Sequence, residues 1–208
     1  MNLQKLVKGI HSFQKGYFAK NRAIFEELAA KGQQPKTLFL TCSDSRVLPD
    51  RITSTGPGEL FLVRNVGNVI PRTDLVGGTA AAIEYGVEVL GVEHIIVCGH
   101  TQCGAIDAIL DPKRMESLPY VKRWLTQTER VRQVIAERYS DLPPEAQRIA
   151  AVEENVLMQV ENLRDYAFVN KRLDEGSLHV SGWVFDVVTG NVFDYDAAQC
   201  EFLPVIAK

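Results

Sequence analysis

The chain has 208 residues, 46% of them hydrophobic and 24% charged, with a formal net charge of −3. That length suffices for one sizeable core, and the near-neutral balance excludes a general attraction to nucleic acid or to an anionic membrane. No apolar run approaches the ~18 residues that a membrane span needs, and Met1-Asn2-Leu3-Gln4-Lys5 lacks the basic-then-apolar order of a secretory signal. A single domain over 1–208 in the cytoplasm is therefore expected, with no nucleic-acid or membrane partner.

In chain order, Leu3, Leu6, Val7, Ile10, Phe13, Tyr17 and Phe18 recur at three- and four-residue spacings, which predicts an amphipathic helix over 3–18. A second helix over 22–30 stops at Lys31-Gly32; together they make an N-terminal helical arm over 1–31. Thr37-Leu38-Phe39-Leu40-Thr41 reads as a buried strand that delivers Cys42 at its C-terminal end. Gly56-Pro57-Gly58 is a turn, and Leu60–Arg64 is the next strand. Residues 75–90 have helical spacing, with small residues that suit close packing on a sheet, and Gly91 ends that helix. His94–Gly99 is a further apolar strand, delivering His100 at its end, and Cys103 opens the helix after it.

From Leu118 to Tyr166 the pattern is mostly helical, interrupted at Leu142-Pro143-Pro144. Beyond it, 178–188 and 191–195 around Thr189-Gly190 read as a hairpin whose strand pair finishes an edge of the sheet. Strands alternating with helices predict an α/β fold with a mostly parallel central β-sheet flanked by helices. Ligands of such sheets gather at the carboxyl ends of the strands, where Cys42, His100 and Cys103 all fall.

Those residues offer two thiolates and one imidazole, a soft set suited to zinc. A structural zinc site closes its tetrahedron with four protein groups, whereas three leave a position open for water or substrate. Each residue taken alone would be an ordinary core residue. Two strand ends that converge while presenting only good zinc ligands outweigh that reading. Cys98, inside Ile95-Ile96-Val97-Cys98, and Cys200, near the C-terminus, have no such neighbours and read as structural or spare. Two and four residues past Cys42 stand Asp44 and Arg46. Alone, they would be a turn residue and a surface cation. Beside a zinc ion whose charge two thiolates already neutralise, Asp44 can accept a hydrogen bond from zinc-bound hydroxide and Arg46 can hold that carboxylate ionised and pointed.

Taken together, Cys42-Ser43-Asp44-Ser45-Arg46, His100-Thr101-Gln102-Cys103-Gly104 and the intervening stretch from Pro57 to Asn68 resemble the β-class carbonic anhydrases. The resemblance covers most of the chain, from the N-terminal helix to Gly182-Trp183. It implies reversible hydration of carbon dioxide to bicarbonate and a proton, by attack of hydroxide on one Zn2+ per subunit held by Cys42, His100 and Cys103. Asp44 and Arg46 would be the family's catalytic dyad and Gln33 its glutamine that hydrogen-bonds substrate oxygen. Phe61, Val66 and Tyr85 would line a plant-type pocket, with the Gly104 amide as a further substrate contact. Outside the resemblance, Gln33 is a polar turn residue, Phe61 and Val66 suit any core, and Tyr85 is a helix residue facing its neighbour.

Two departures from the family pattern carry expectations. A bicarbonate-inhibited branch has a tryptophan and a tyrosine where this chain has Phe39 and Phe185, although that branch's arginine is matched by Arg64. An enzyme with zinc open to water at neutral pH is therefore expected. Some plant members have a histidine suited to moving protons at the position of Val89, which leaves export to buffer, water or another group such as Glu84. His11, His94 and His179 have no motif around them.

The apolar, aromatic arm predicts packing across a subunit boundary, and members of the resembled family dimerise through such arms. A homodimer or higher homo-oligomer is expected. The rivals are a carbonyl sulfide or carbon disulfide hydrolase on the same scaffold, and a component of a bacterial microcompartment with secondary catalysis. A dedicated tail for docking a microcompartment shell protein is not expected. Nucleotide binding is discarded, because neither Gly56-Pro57-Gly58 nor Gly77-Gly78-Thr79 fits a phosphate-cradling loop.

Overall fold

In the computed structural model, which describes residues 2–206, six strands form one sheet in the order β2-β1-β3-β4-β5-β6. They are β1 (Thr37–Cys42), β2 (Leu60–Asn65), β3 (His94–His100), β4 (His179–Phe185), β5 (Val192–Asp196) and β6 (Glu201–Pro204). The first four run parallel, and β5 and β6 are antiparallel. Leu38, Phe39 and Leu40 of β1 and Ile95, Val97 and Cys98 of β3 are all buried, as the near-continuous apolar runs of parallel strands covered on both faces require. The chain leaves β1 to form β2 on one side and β3 on the other. The strand order thus reverses at β1, which puts a crevice at the carboxyl ends of β1 and β3.

The helices are α1 (Leu3–Phe13), α2 (Arg22–Lys31), α3 (Pro49–Ile52), α4 (Gly78–Glu84), α5 (Gly104–Leu110), α6 (Pro119–Leu125), α7 (Glu129–Arg138), α8 (Pro144–Arg164) and α9 (Ala167–Asp174). The longest, α8, buries Ala150, Ala151, Val152, Val156 and Leu163. It lies so close to the sheet that a Cβ built on Gly99 of β3 would stand 2.7 Å from Val156, and one on Gly182 of β4 would stand 3.0 Å from it. Glycine at both positions is what that approach demands. The same helix turns polar groups inward. Asn155 donates to the Gly67 carbonyl, and Gln159 accepts from the Ile70 amide and donates to Asn155. Asn162 donates to the Ile70 carbonyl, so the loop after β2 hangs from α8.

Three elements differ from the expectation. The helix predicted over 3–18 is α1 followed by a π-helical turn at Gln14–Phe18, which widens the winding by one residue around Gly16, a poor helix former. The helix predicted from Leu75 starts at Gly78. Leu75 donates instead to Arg72 in a turn, and Gly77 is extended. The hairpin exists as β4 and β5, but β4 continues the parallel sheet, and the antiparallel edge pair consists of β5 and the unanticipated β6.

The arm leaves its stripe in the open. No residue of α1 is buried, and Leu3, Leu6, Val7, Ile10, Phe13 and Tyr17 are all exposed large apolar side chains. Phe13, Phe18 and Phe25 cluster where α1 meets α2, with Phe18 and Phe25 centroids 4.9 Å apart.

Candidate metal centre

Cys42 closes β1 and His100 closes β3, adjacent parallel strands whose shared direction carries both side chains to the crevice. Cys103 is brought back beside them by the turn at Thr101-Gln102, where Gln102 takes a left-handed φ of 56°. It then caps α5 in an extended conformation. The two sulfurs stand 4.0 Å apart, and with a nitrogen of His100 they lie within 4.8 Å of one another. All three residues are buried, His100 completely.

Two observations test whether this set fits a divalent cation. His100 Nδ1 lies 2.9 Å from the Thr101 carbonyl, which can only accept, so Nδ1 carries the proton and Nε2 presents a lone pair. That Nε2 is buried with no hydrogen-bond partner, a costly arrangement unless something binds it. The sulfurs give the second test. The hydrogen bond from the Cys103 thiol, helped by the Gly67 amide, pulls the Cys42 thiol well below its ordinary range despite burial. The same hydrogen bond to Cys42, with burial, pushes the Cys103 thiol up. A divalent cation offsets the charge of both sulfurs and so favours both as thiolates. The donor set, two sulfurs and one imidazole, is that of an open zinc site. Backbone amides support it, since Gly67 donates to Cys42 Sγ at 3.4 Å. The unused Cys98 thiol is pushed up to about 12 by burial.

Asp44 lies just past β1, its carboxylate gripped by Arg46. Arg46 Nε donates to Oδ1 at 3.0 Å, Nη2 to Oδ2 at 2.7 Å and the Arg46 amide to Oδ1 at 2.9 Å. The Arg46 side chain holds the Asp44 carboxyl well below the usual carboxylate range. Arg46 is itself fixed on its other side by the Gln102 carbonyl and side-chain oxygen, at 3.0 and 3.2 Å. Arg64 donates to the carbonyls of Asp44 and Cys42. The turn that aims Cys103 therefore also anchors the arginine that aims Asp44.

The remaining candidate residues are less concentrated. Phe61 and Tyr85 pair with each other, ring centroids 6.0 Å apart. Val66 is exposed, and its carbonyl accepts from the Trp124 indole. Gly104 begins α5 with open space at its Cα. Gln33 sits in the exposed turn between α2 and β1, and none of the hydrogen bonds at the cluster involves it. A cavity of about 310 Å³ lined by Gln102, Cys103, Ile106 and Arg148 adjoins the centre. A larger one of about 610 Å³ lies between α7, α8 and the β5–β6 edge, away from these ligands. Donor chemistry, not cavity size, identifies the centre. Gln102, Thr101 and the inward face of α8 were not singled out by sequence, because nothing local to them signals a partner more than fifty residues away.

The family model described as carbonic anhydrase matches residues 37–192. Among its relatives, the carbonic anhydrase of Synechococcus elongatus is 42% identical over 91% of this chain and 70% of its own length. Carbonic anhydrase 1 of Escherichia coli O157:H7 is 40% identical over 99% of this chain and 94% of its own. Among solved structures, the β-carbonic anhydrase CcaA superposes with a TM-score of 0.95 at 40% identity, covering 99% of this chain and 93% of that one. One of two β-carbonic anhydrases from Sordaria macrospora, described as tetrameric, superposes with a TM-score of 0.83 at 29% identity, covering 92% of this chain and 95% of that one.

Proposed function

The chain belongs to the β-carbonic anhydrases, lyases that hydrate carbon dioxide reversibly to bicarbonate and a proton, and on that premise we propose how its own residues carry the reaction. Cys42, His100 and Cys103 hold one Zn2+. Bound there, zinc supplies a Lewis acid that makes a water molecule nucleophilic at neutral pH.

Asp44 and Arg46 do the positioning. Asp44 accepts a hydrogen bond from the attacking water and so aims a lone pair at the carbon, while Arg46 keeps the carboxylate ionised and its direction fixed. Phe61, Val66 and Tyr85 give the apolar substrate an apolar wall. Gln33 and the Gly104 amide donate to its oxygens as negative charge builds on them. Asp44 remains with Arg46 rather than moving onto the metal at neutral pH, because Phe39 and Phe185 leave the inhibitory anion pocket without two of its three parts. The proton leaves through water and buffer, Val89 offering no imidazole.

The observation that carries the reading is the buried, unpartnered Nε2 of His100 beside two sulfurs. We propose further that the chain is one domain with its 1–31 arm laid on a second copy, forming at least a homodimer, and that it works in the cytoplasm. Among the described residues, no helix is long and apolar enough to cross a membrane. Zinc content measured together with stopped-flow carbon dioxide hydration, for the parent and Asp44→Asn, tests the proposal. One zinc per chain in both, with hydration lost by on the order of 100-fold in the variant, is the expected result. Metal-free parent protein, or full activity in the variant, would contradict it.

A further inference from the structure

Beyond the ligands and the dyad, we infer that Asp186, at the turn between β4 and β5, is a positioning residue for His100 and acts through Thr101. The inference rests on the reading of His100 as a metal ligand.

The chain of contacts is short and closed. His100 Nδ1 donates to the Thr101 carbonyl, so the imidazole can be no better oriented than that peptide group. Thr101 is held on both sides. Its amide donates to the Phe185 carbonyl at 2.9 Å, and its hydroxyl donates to Asp186 Oδ1 at 3.0 Å while accepting from the Val187 amide at 3.1 Å. Both partners of the hydroxyl are therefore on the β4–β5 turn, brought there because His100 and Phe185 are aligned neighbours in β3 and β4.

Asp186 is in turn committed by three donors. Oδ1 takes the Thr101 hydroxyl and the Val188 amide at 2.9 Å, and Oδ2 takes the Thr189 hydroxyl at 2.7 Å. The Thr189 hydroxyl above all holds this carboxyl below its ordinary range, so it accepts as a carboxylate and cannot swap roles with Thr101 by becoming a donor. Removing it leaves the Thr101 hydroxyl without its acceptor. The peptide that carries the His100 acceptor is then free to tilt, and Nε2 swings away from the two sulfurs.

A residue that merely capped the turn would change stability and leave the metal alone, so the test reads the metal. Zinc-loaded parent, Thr101→Val, Thr101→Ser and Asp186→Ala are mixed with a chromophoric chelator and the zinc release rate is followed. The visible spectra of the cobalt-substituted proteins are recorded in parallel. Thr101→Val and Asp186→Ala are expected to release zinc on the order of 10- to 100-fold faster and to shift the cobalt bands, whereas Thr101→Ser, which keeps the hydroxyl, restores the parental rate and spectrum. Should Asp186→Ala not fold, the valine and serine variants carry the comparison. Release from Thr101→Val at the parental rate, release from Thr101→Ser as fast as from valine, or a folded Asp186→Ala that holds zinc like the parent would each overturn the inference alone. A parent that takes up no zinc overturns both it and the reading it rests on.

Discussion

Oδ2 of Asp44 lies 3.9 Å from Nε2 of His100, and the same oxygen takes the 2.7 Å hydrogen bond from Arg46. The guanidinium opposes any rotation of this carboxylate toward the imidazole. The arginine is therefore as much a restraint on Asp44 as a support for its charge.

Replacing Arg46 by Ala should let the carboxylate reach the metal. Carbon dioxide hydration at pH 7 is expected to fall on the order of 10- to 100-fold with zinc fully retained, and X-ray absorption at the zinc edge should gain an oxygen ligand from protein. Activity within about twofold of the parent would mean that Arg46 is dispensable to the positioning.

The direction of the Asp44 shift fixes a pH dependence of stability. Its native value is depressed by Arg46, so the contribution is fully present above the unfolded value of about 4 and is lost as pH falls from there through the lower native value. Urea midpoints of the parent and Asp44→Asn should differ by a constant amount from neutral pH down to about 5 and then converge progressively as the pH falls further below about 4. A difference that widens on acidification would reverse the assignment.

The inward face of α8 offers a test away from the chemistry. Gln159 is fully buried and is the acceptor for the Ile70 amide; Gln159→Leu leaves that donor unpaired in the core. A loss of about 1–3 kcal/mol in unfolding free energy is expected. Reduced hydration activity should accompany it, because the loop it suspends includes Gly67, which donates to Cys42. A variant as stable as the parent would show that water or a shifted side chain replaces the glutamine.

For the arm, Ile10→Glu puts a charge in the middle of the exposed stripe, where Ile10 is 55% exposed in the single chain. Sedimentation velocity should find the parent as a dimer or larger and the variant shifted to monomer. A monomeric parent at micromolar concentration would leave the stripe without its proposed partner.

Much of this centre was legible because its candidate ligands stand at the ends of runs that identify themselves. Thr37–Cys42 and His94–His100 are apolar enough to be strands whatever surrounds them, and a strand's end is a place as well as a position in sequence. Cys42, His100, Cys103, Asp44 and Arg46 are all within a few residues of such an end. What escaped was decided by contacts distant in sequence. Glu201–Pro204 is a strand because β5 offers an edge, and four residues with one aromatic give no period to read. Thr101 and Asp186 are 85 positions apart, and the polar residues of α8 look like a solvated helix face until the loop they hold is seen. The π turns at Gln14–Phe18 and Tyr85–Val89 likewise leave no period of their own to read.

The missing side chains at Gly99 and Gly182 have a reach longer than their own contacts. Successive residues of β3 point to opposite faces, so the face where Gly99 lacks a side chain and the imidazole of His100 are on two sides of one backbone. A methyl group added at Gly99 would meet Val156 and Val152 and lever α8 outward. Asn155 and Gln159 would go with it, and the Gly67 and Ile70 peptides with them. The spacing of the two sulfurs is thus gauged partly by an absence of volume on the far side of the sheet. A single carbon there would act on the cluster as a wedge acts on a clamp, without touching Cys42, His100 or Cys103.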